Sequence, residues 1–257
     1  MSPLKRIAYF IGLPVLLIAL WWLLTLGPTN FFVPKPLKLV KTFWTVWASD
    51  RLWTDFLPSI IRLFIGLAAS IVLGVVLGVL IGTYRWLRSF TEPILEFFRA
   101  VPPPVLVPLL MLLIGINDQM KIVVIITGAI WPVLLNTVEG VRAVDPVLSD
   151  TTLTYRITGF ARLRYLVLPG ASPQIMAGVR QCLSIGVILM VISEMFGSSS
   201  GLGYTIVLFQ RGFAIPEMWS GIAVLGLIGI GLSFVFRGVE GRVLGWYHGL
   251  REMQRDN

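Results

Sequence analysis

The chain has 257 residues, 56% of them hydrophobic and 13% charged, with a formal net charge of +8. A soluble domain carries about 25% charged residues, so this composition excludes an ordinary soluble fold and predicts an all-α polytopic membrane protein. One cysteine, Cys182, and one histidine, His248, exclude an internal disulfide, a Cys-based metal cluster and a His- or Cys-centred catalytic pair.

In chain order, six segments approach the roughly 20 apolar residues that a membrane span requires: 7–26, 57–83, 101–116, 122–138, 175–196 and 219–236. The first follows Lys5-Arg6 and exceeds the roughly 7–15 residues of a signal-peptide core. It is therefore expected to be a retained span. Next, Val33-Pro34-Lys35-Pro36 leads into Leu37, Val40, Trp44 and Trp47 at helical spacing, with Lys38 and Lys41 on another face. That pattern predicts an amphipathic helix lying in the interface, or failing that an ordinary extracytoplasmic loop. The second span carries Gly66, Gly74, Gly78 and Gly82, a small-residue stripe that lets a neighbouring helix approach closely. Arg62, near its outer end, is expected to snorkel. The third segment is short and begins at Pro102-Pro103-Pro104, which disfavours a helix start.

Six spans put both termini on one side. If that side is the cytoplasm it receives thirteen Lys and Arg residues, against six on the other: Lys35, Lys38, Lys41, Arg51, Lys121 and Arg211. This asymmetry obeys the positive-inside rule. The basic residues also fall in short clusters between apolar runs rather than along one face, which argues against nucleic acid as a partner. The run Gly197-Ser-Ser-Ser-Gly201-Leu202-Gly203 lacks the Lys-Ser/Thr ending of a phosphate loop, and no Walker motif occurs elsewhere. The chain is not expected to hydrolyse ATP by itself.

The most informative stretch is the polar, Arg-bearing island from Asp145 to Pro173, on the predicted cytoplasmic side. Asp145-Pro146 reads as an N-cap followed by a proline in the first turn. A helical stretch over 149–155, a turn at Thr158-Gly159 and a second helix over 160–167 follow, closed by Leu168-Pro169-Gly170. Leu153, Tyr155, Ile157, Phe160, Leu163 and Tyr165 are too many apolar side chains for a solvated loop with nothing to pack on. Something outside the bilayer is expected to grip this elbow.

These residues resemble the EAA loop of bacterial ABC-importer permeases, which has a Glu-Ala-Ala segment, a glycine a few residues on and a hydrophobic-Leu-Pro ending. Counted back from Val167-Leu168-Pro169, Asp150-Thr151-Thr152 fall on Glu-Ala-Ala, Arg156 falls on the glycine, and Gly159 lies three residues later. The stretches FTEPILEFFRAVPPPVLVPLLMLLIGIND, KIVVIITGAIWPVLLNTVEGVRAVDP and ISEMFGSSSGLGYTI are similar to the nitrate/sulfonate/taurine branch.

The resemblance implies a type I importer permease of MetI-like architecture, one domain over 1–257 with a coupling-helix loop at 145–170. Its implied setting is a bacterial inner membrane with both termini cytoplasmic. The implied partners are a second permease copy (identical or a paralogue), two ATPase subunits that carry the ATP and Mg, and an extracytoplasmic substrate-binding protein. No cofactor is expected on this chain. The implied ATPase-coupling residues are Asp150, Thr151, Thr152, Tyr155, Arg156, Gly159, Arg162 and Pro169.

Polar residues inside spans are the candidates for a pathway or gate, because burying them in lipid is costly. They are Asn136, Arg180, Gln181, Ser184 and Glu194. Arg180 and Glu194 are about 21 Å apart along one helix, so they do not pair directly; a gate or packing role is expected for both. Interhelical hydrogen bonds are expected of Asn136, Gln181 and Ser184. If the solute is a small anion (a sulfonate, nitrate or carboxylate), Arg180 is the best nominee to meet it. The alternative is a secondary transporter or channel working without an ATPase, which would need inverted repeats and midplane carboxylates.

Overall fold

A computed structural model describes residues 3–27, 31–247 and 249, with side chains from residue 12 onward. His248 and the side chains of Lys5, Arg6, Arg251 and Arg255 lie outside that set. Every regular element among the described residues is helical. The helices are α1 (Pro3–Leu24), α2 (Pro36–Trp47), α3 (Leu57–Thr83), α4 (Arg85–Ala100), α5 (Leu106–Ile114), α6 (Asp118–Arg142), α7 (Pro146–Thr154), α8 (Gly159–Arg162), α9 (Leu168–Met195), α10 (Leu202–Arg211) and α11 (Ile215–Val243).

Four continuous helical stretches are long and apolar enough to cross a membrane: Leu52–Thr83, Asp118–Arg142, Gly159–Met195 and Ile215–Val243. Two of them exceed their main helix because a π-helical turn joins on, Leu52–Phe56 ahead of α3 and Leu163–Val167 ahead of α9. Both turns precede a Leu-Pro pair, Leu57-Pro58 and Leu168-Pro169. A proline has no N–H to donate and its ring crowds the carbonyl four residues back; widening the preceding turn accommodates it without breaking the helix. Leu168-Pro169-Gly170 was expected to close the elbow. Instead the elbow's second half runs without a break into α9.

The third expected span is corrected. Over 101–116 there is no straight crossing helix: α4 ends at Ala100, the prolines make a short 3₁₀ turn (Pro103–Val105), and α5 departs at 76°. Nine residues of α5 reach about 13.5 Å, less than half of a bilayer core. Only α4 and α5 taken together are long enough to cross. The segment expected over 7–26 corresponds to α1.

The core is a three-helix stack in which α6 lies between α3 and α9. Gly66, Gly74, Gly78 and Gly82 of α3 face Ile125, Val133, Thr137 and Val141 of α6 in turn, and a Cβ at Gly78 would sit 2.6 Å from Thr137 Cβ. On the other flank Gly178 of α9 lies against Pro132 and Val133 of α6. The glycine stripe thus does what its spacing suggests: the backbones approach until dispersion contacts hold them. The amphipathic helix α2 packs on α11, where Trp47 is buried and donates from Nε1 to Ser220 Oγ at 3.1 Å. Leu37, Val40 and Trp44 on its other side remain exposed.

Candidate functional site

Two constellations stand out, one at each end of the stretch 159–195. At the α7 end the chain leaves α6 at Arg142 and turns through Asp145, whose carboxylate accepts from Val147 N–H at 2.7 Å and caps α7. The two stretches expected over 146–155 form this single helix. The hydroxyls of Thr151 and Thr152 bond back to Val147 O and Ser149 O, both at 2.7 Å. These threonines therefore leave no donor unsatisfied where alanines would have none.

The helix stops in a Schellman arrangement: Arg156 N–H donates to Leu153 O at 3.0 Å and Ile157 N–H to Thr152 O at 2.8 Å. That geometry places the residue after the C-cap in the left-handed region, and Arg156 has φ +55°. The position that the register assigns to a glycine thus keeps a glycine conformation while carrying an arginine. Gly159 also has positive φ, +58°, and turns the chain into α8. Arg162 then ties the two arms together, its Nη2 donating to Ser149 Oγ at 2.7 Å. Pro169 lies past the π turn, its carbonyl accepting from Ser172 Oγ at 2.7 Å.

The elbow buries little beyond Leu166 and Val167. Tyr155 is 75% exposed, and Val147, Leu148, Leu153, Phe160 and Tyr165 are exposed around it, while Ile157 and Leu163 are half-buried. A cluster of this kind on a folded, capped element marks an interaction surface.

The opposite end carries a polar cluster that the sequence did not reveal as one. Glu194 is fully buried, with Arg62 Nη1 at 2.8 Å and Ser59 Oγ at 2.7 Å from its Oε1. The other guanidinium branch of Arg62 meets Asp118 at 2.8 Å, and Lys121 lies 3.6 Å from the same carboxylate. The expectation that Arg62 snorkels is corrected: its side chain is 5% exposed and welds α3 to α6 and α9. The guanidinium runs from the fully buried Glu194 to Asp118, which is 65% exposed, and is paired at both ends.

The same cluster supplies the N-terminus of α10. The first free N–H groups of a helix need acceptors, and here they come from other helices. Gly201 N–H donates to Asp55 Oδ1 at 3.1 Å, Leu202 N–H to Ser59 Oγ at 2.9 Å and Gly203 N–H to Glu194 Oε2 at 3.0 Å. Gly201 and Gly203, two of the three glycines of GSSSGLG, are thereby explained. A Cβ at Gly201, which has φ +119°, would collide with the Glu194 carboxylate, and one at Gly203 with Val191 O. They make room for a carboxylate of this chain, not for a phosphate.

The remaining candidates are scattered. Asn136 bonds Pro132 O of its own helix at 2.8 Å, and Gln181 and Ser184 lie exposed on α9 with no hydrogen bond among the described residues. The expected interhelical bonds are therefore absent at all three. Arg180 is 63% exposed and takes Glu240 of α11, with Nη2 2.7 Å from each carboxylate oxygen. Arg180 and Glu194 do not meet, as their separation requires. Sequence reasoning missed Ser59, Asp118 and Lys121, which read as span edge and loop, and Glu240, which lay beyond the expected end of the last span. Among the described residues no cluster of His, Cys, Asp and Glu could hold a metal.

Comparison with known proteins gives consistent results. A family profile described as binding-protein-dependent transport system inner membrane component matches residues 70–243. A Bacillus subtilis protein that carries the name of an aliphatic sulfonates transport permease, SsuC, is 31% identical over 246 residues, covering 94% of this chain and 89% of its own. The taurine transport system permease TauC of Escherichia coli is 28% identical, covering 95% and 92%. The riboflavin transport system permease RibX of Chloroflexus aurantiacus is 30% identical over 91% and 89%. Among solved structures, the inward-facing MetNI methionine ABC transporter superposes with a TM-score of 0.59 at 19% identity, over 80% of this chain and 96% of that one.

Proposed function

Because the chain belongs to the binding-protein-dependent transport system inner membrane component family, the permease subunits of ABC importers, we propose that two copies enclose a pathway for a small organic anion and that a separate ATPase grips the elbow of each. Family membership displaces the reading of a channel or secondary transporter, and ATP hydrolysis belongs to another subunit. A substrate-binding protein delivers the solute, a role supported by the binding-protein-dependent description of the family. In this reading the α7 end faces the cytoplasm, where the ATPase holds ATP and Mg, and the Glu194 end faces the binding protein. The membrane is a bacterial inner membrane.

The observation that carries the coupling role is the exposed aromatic and aliphatic surface of Leu148, Leu153, Tyr155, Phe160 and Tyr165 on an element held rigid by its own caps. Such an element transmits force only when its outer surface is seated. Nucleotide-driven closure of the ATPases then makes different contacts with different permease conformations and shifts their populations. Asp150, Thr151, Thr152, Arg156 and Gly159 shape that surface, and Arg162 and Pro169 join it to α9. The anionic class of solute rests on the sulfonate and taurine permeases among the relatives and on Arg180. The riboflavin permease at similar identity shows that overall likeness does not choose the solute.

The test is co-purification of the partner ATPase with the tagged permease from co-expressing cells. Wild type retains it, whereas Leu148→Asp and Tyr155→Asp release it while the permease stays monodisperse. Retention of the ATPase by both variants overturns the coupling role of the elbow.

A further inference from the structure

Two arginines lie within the spans, and they are used in opposite ways. Arg62 is 5% exposed and locked between Glu194 and Asp118. Arg180 is 63% exposed and lies over the face of Phe236, 5.3 Å from the ring centre, reaching across to Glu240. It sits about 18 Å along α9 from Leu168. An arginine on a spanning helix that is not sealed inside the bundle calls for a polar cavity beside it rather than lipid.

Such a cavity is present. A groove of about 530 Å³ opens between α9 and α11, and Arg180, Ser184, Ser233, Arg237 and Glu240 form its polar wall. Leu183, Val187, Leu232 and Phe236 form an apolar floor. Two guanidinium groups face one carboxylate, so the wall keeps a net positive charge even with the Arg180–Glu240 pair closed. Ser233 Oγ donates to Gly229 O at 2.8 Å, so its one proton is already used, whereas Ser184 has no partner among the described residues and keeps its hydroxyl proton for a ligand.

We infer that this α9–α11 groove is a binding site for the anionic head group of a small organic anion, in which Arg180 exchanges the Glu240 carboxylate for that of the ligand. Arg180 supplies the planar donor fork that suits a sulfonate or carboxylate. Arg237 adds charge at the rim, and the floor takes the organic tail. Glu240 is a positioning residue. It holds Arg180 across the groove when the site is empty and competes with the ligand when it is filled. Built-in competition keeps binding weak, which suits a pathway that must also release what it binds. The inference deepens the importer reading and rests on it only for the claim that the bound anion is the cargo.

The permease–ATPase complex in lipid nanodiscs provides the test. With Cys182→Ser removing the native thiol, a single cysteine is placed at Ser233, and separately at Ser184 in case the first variant fails to assemble. Each is treated with membrane-impermeant methanethiosulfonates carrying either a sulfonate or a trimethylammonium group. Rates are scaled to those on free 2-mercaptoethanol. The sulfonate reagent is expected to be favoured by about tenfold. Arg180→Gln is expected to abolish that preference and Glu240→Gln to increase it. Preference unchanged by Arg180→Gln, or no reaction of either reagent at both positions, overturns the inference; the second outcome means that the groove faces lipid. ATPase content is measured on the same preparations. Loss of charge preference with ATPase retained removes the groove alone, whereas wild type lacking ATPase removes the importer reading and leaves the site standing.

Discussion

At one end of the stretch 159–195 a carboxylate is sealed among Ser59, Arg62 and the N–H of Gly203, and at the other Tyr155, Phe160 and Tyr165 face outward. The first end is nearly complete within one chain: the π-helical turn Leu52–Phe56, α3, α6, α9 and α10 all contribute a donor or an acceptor. Arg62 Nε and Thr205 Oγ1 are the buried atoms there without a partner among the described residues. The second is complete only in its backbone, with caps and a Schellman turn but no cover for its apolar side chains. The contrast separates what the fold needs from what the assembly needs. Polar groups that must stay buried are satisfied internally, while apolar groups that can stay exposed are left for a neighbour.

That contrast predicts different responses to mutation at the two ends. The largest effect is expected from Arg62→Ala, which leaves Glu194 as an unpaired buried charge at a cost of about 3–5 kcal/mol. Thermal unfolding in detergent should show a marked loss of stability, with partial recovery in the double variant Arg62→Met/Glu194→Met. If the single variant unfolds like wild type, the sealed end contributes nothing and the comparison fails. At the elbow, Tyr155→Ala is expected to change unfolding by less than about 0.5 kcal/mol while weakening ATPase retention, the reverse pattern.

Backbone effects sharpen the comparison further. A left-handed residue other than glycine costs about 1–2 kcal/mol, so Gly159→Ala should destabilise the elbow by about that amount, with no steric term because a Cβ there meets nothing within 4 Å. Limited proteolysis between α7 and α9 would report it. Arg156→Gly should act in the opposite direction and slow that cleavage, by about 1 kcal/mol of local stability. If Arg156→Gly instead releases the ATPase, the side chain serves the interface and not only the turn.

Much of this architecture could be read from the sequence, and the failures share a cause. Apolar length located α3, α6, α9 and α11, the glycine spacing marked a packing face on α3 without naming its partner, and Asp145-Pro146 located the start of α7. Those signals are local. The polar lock was not legible because its members are separated by up to 146 residues in the chain, and Ser59 or Asp118 alone resembles any span edge. Arg62 was assigned to the interface on position, whereas Glu194 and Asp118 decide its place. Glu240 went unnoticed because α11 continues to Val243 through a charged last turn that hydropathy does not count as span. The third segment failed at its prolines, where the chain bends and Pro103 lies against Gly128 of α6. The residues expected to couple do share one folded elbow, but the left-handed backbone at Arg156 was not legible, since arginine gives no sign of it.

The π turn at Leu163–Val167 has a mechanical consequence. A rod that passes unbroken from Gly159 to Met195 measures about 55 Å, and a push on its short arm must swing the long one unless something yields in between. The widened turn is an irregular joint along that rod, with Pro173 a further interruption of its hydrogen bonding, so in the proposed importer its stiffness would set how much of a stroke at Tyr155 reaches Glu194. In the proposed importer, a variant with this joint locked would still dock its ATPase and would pass more of each nucleotide cycle to the far end of the rod.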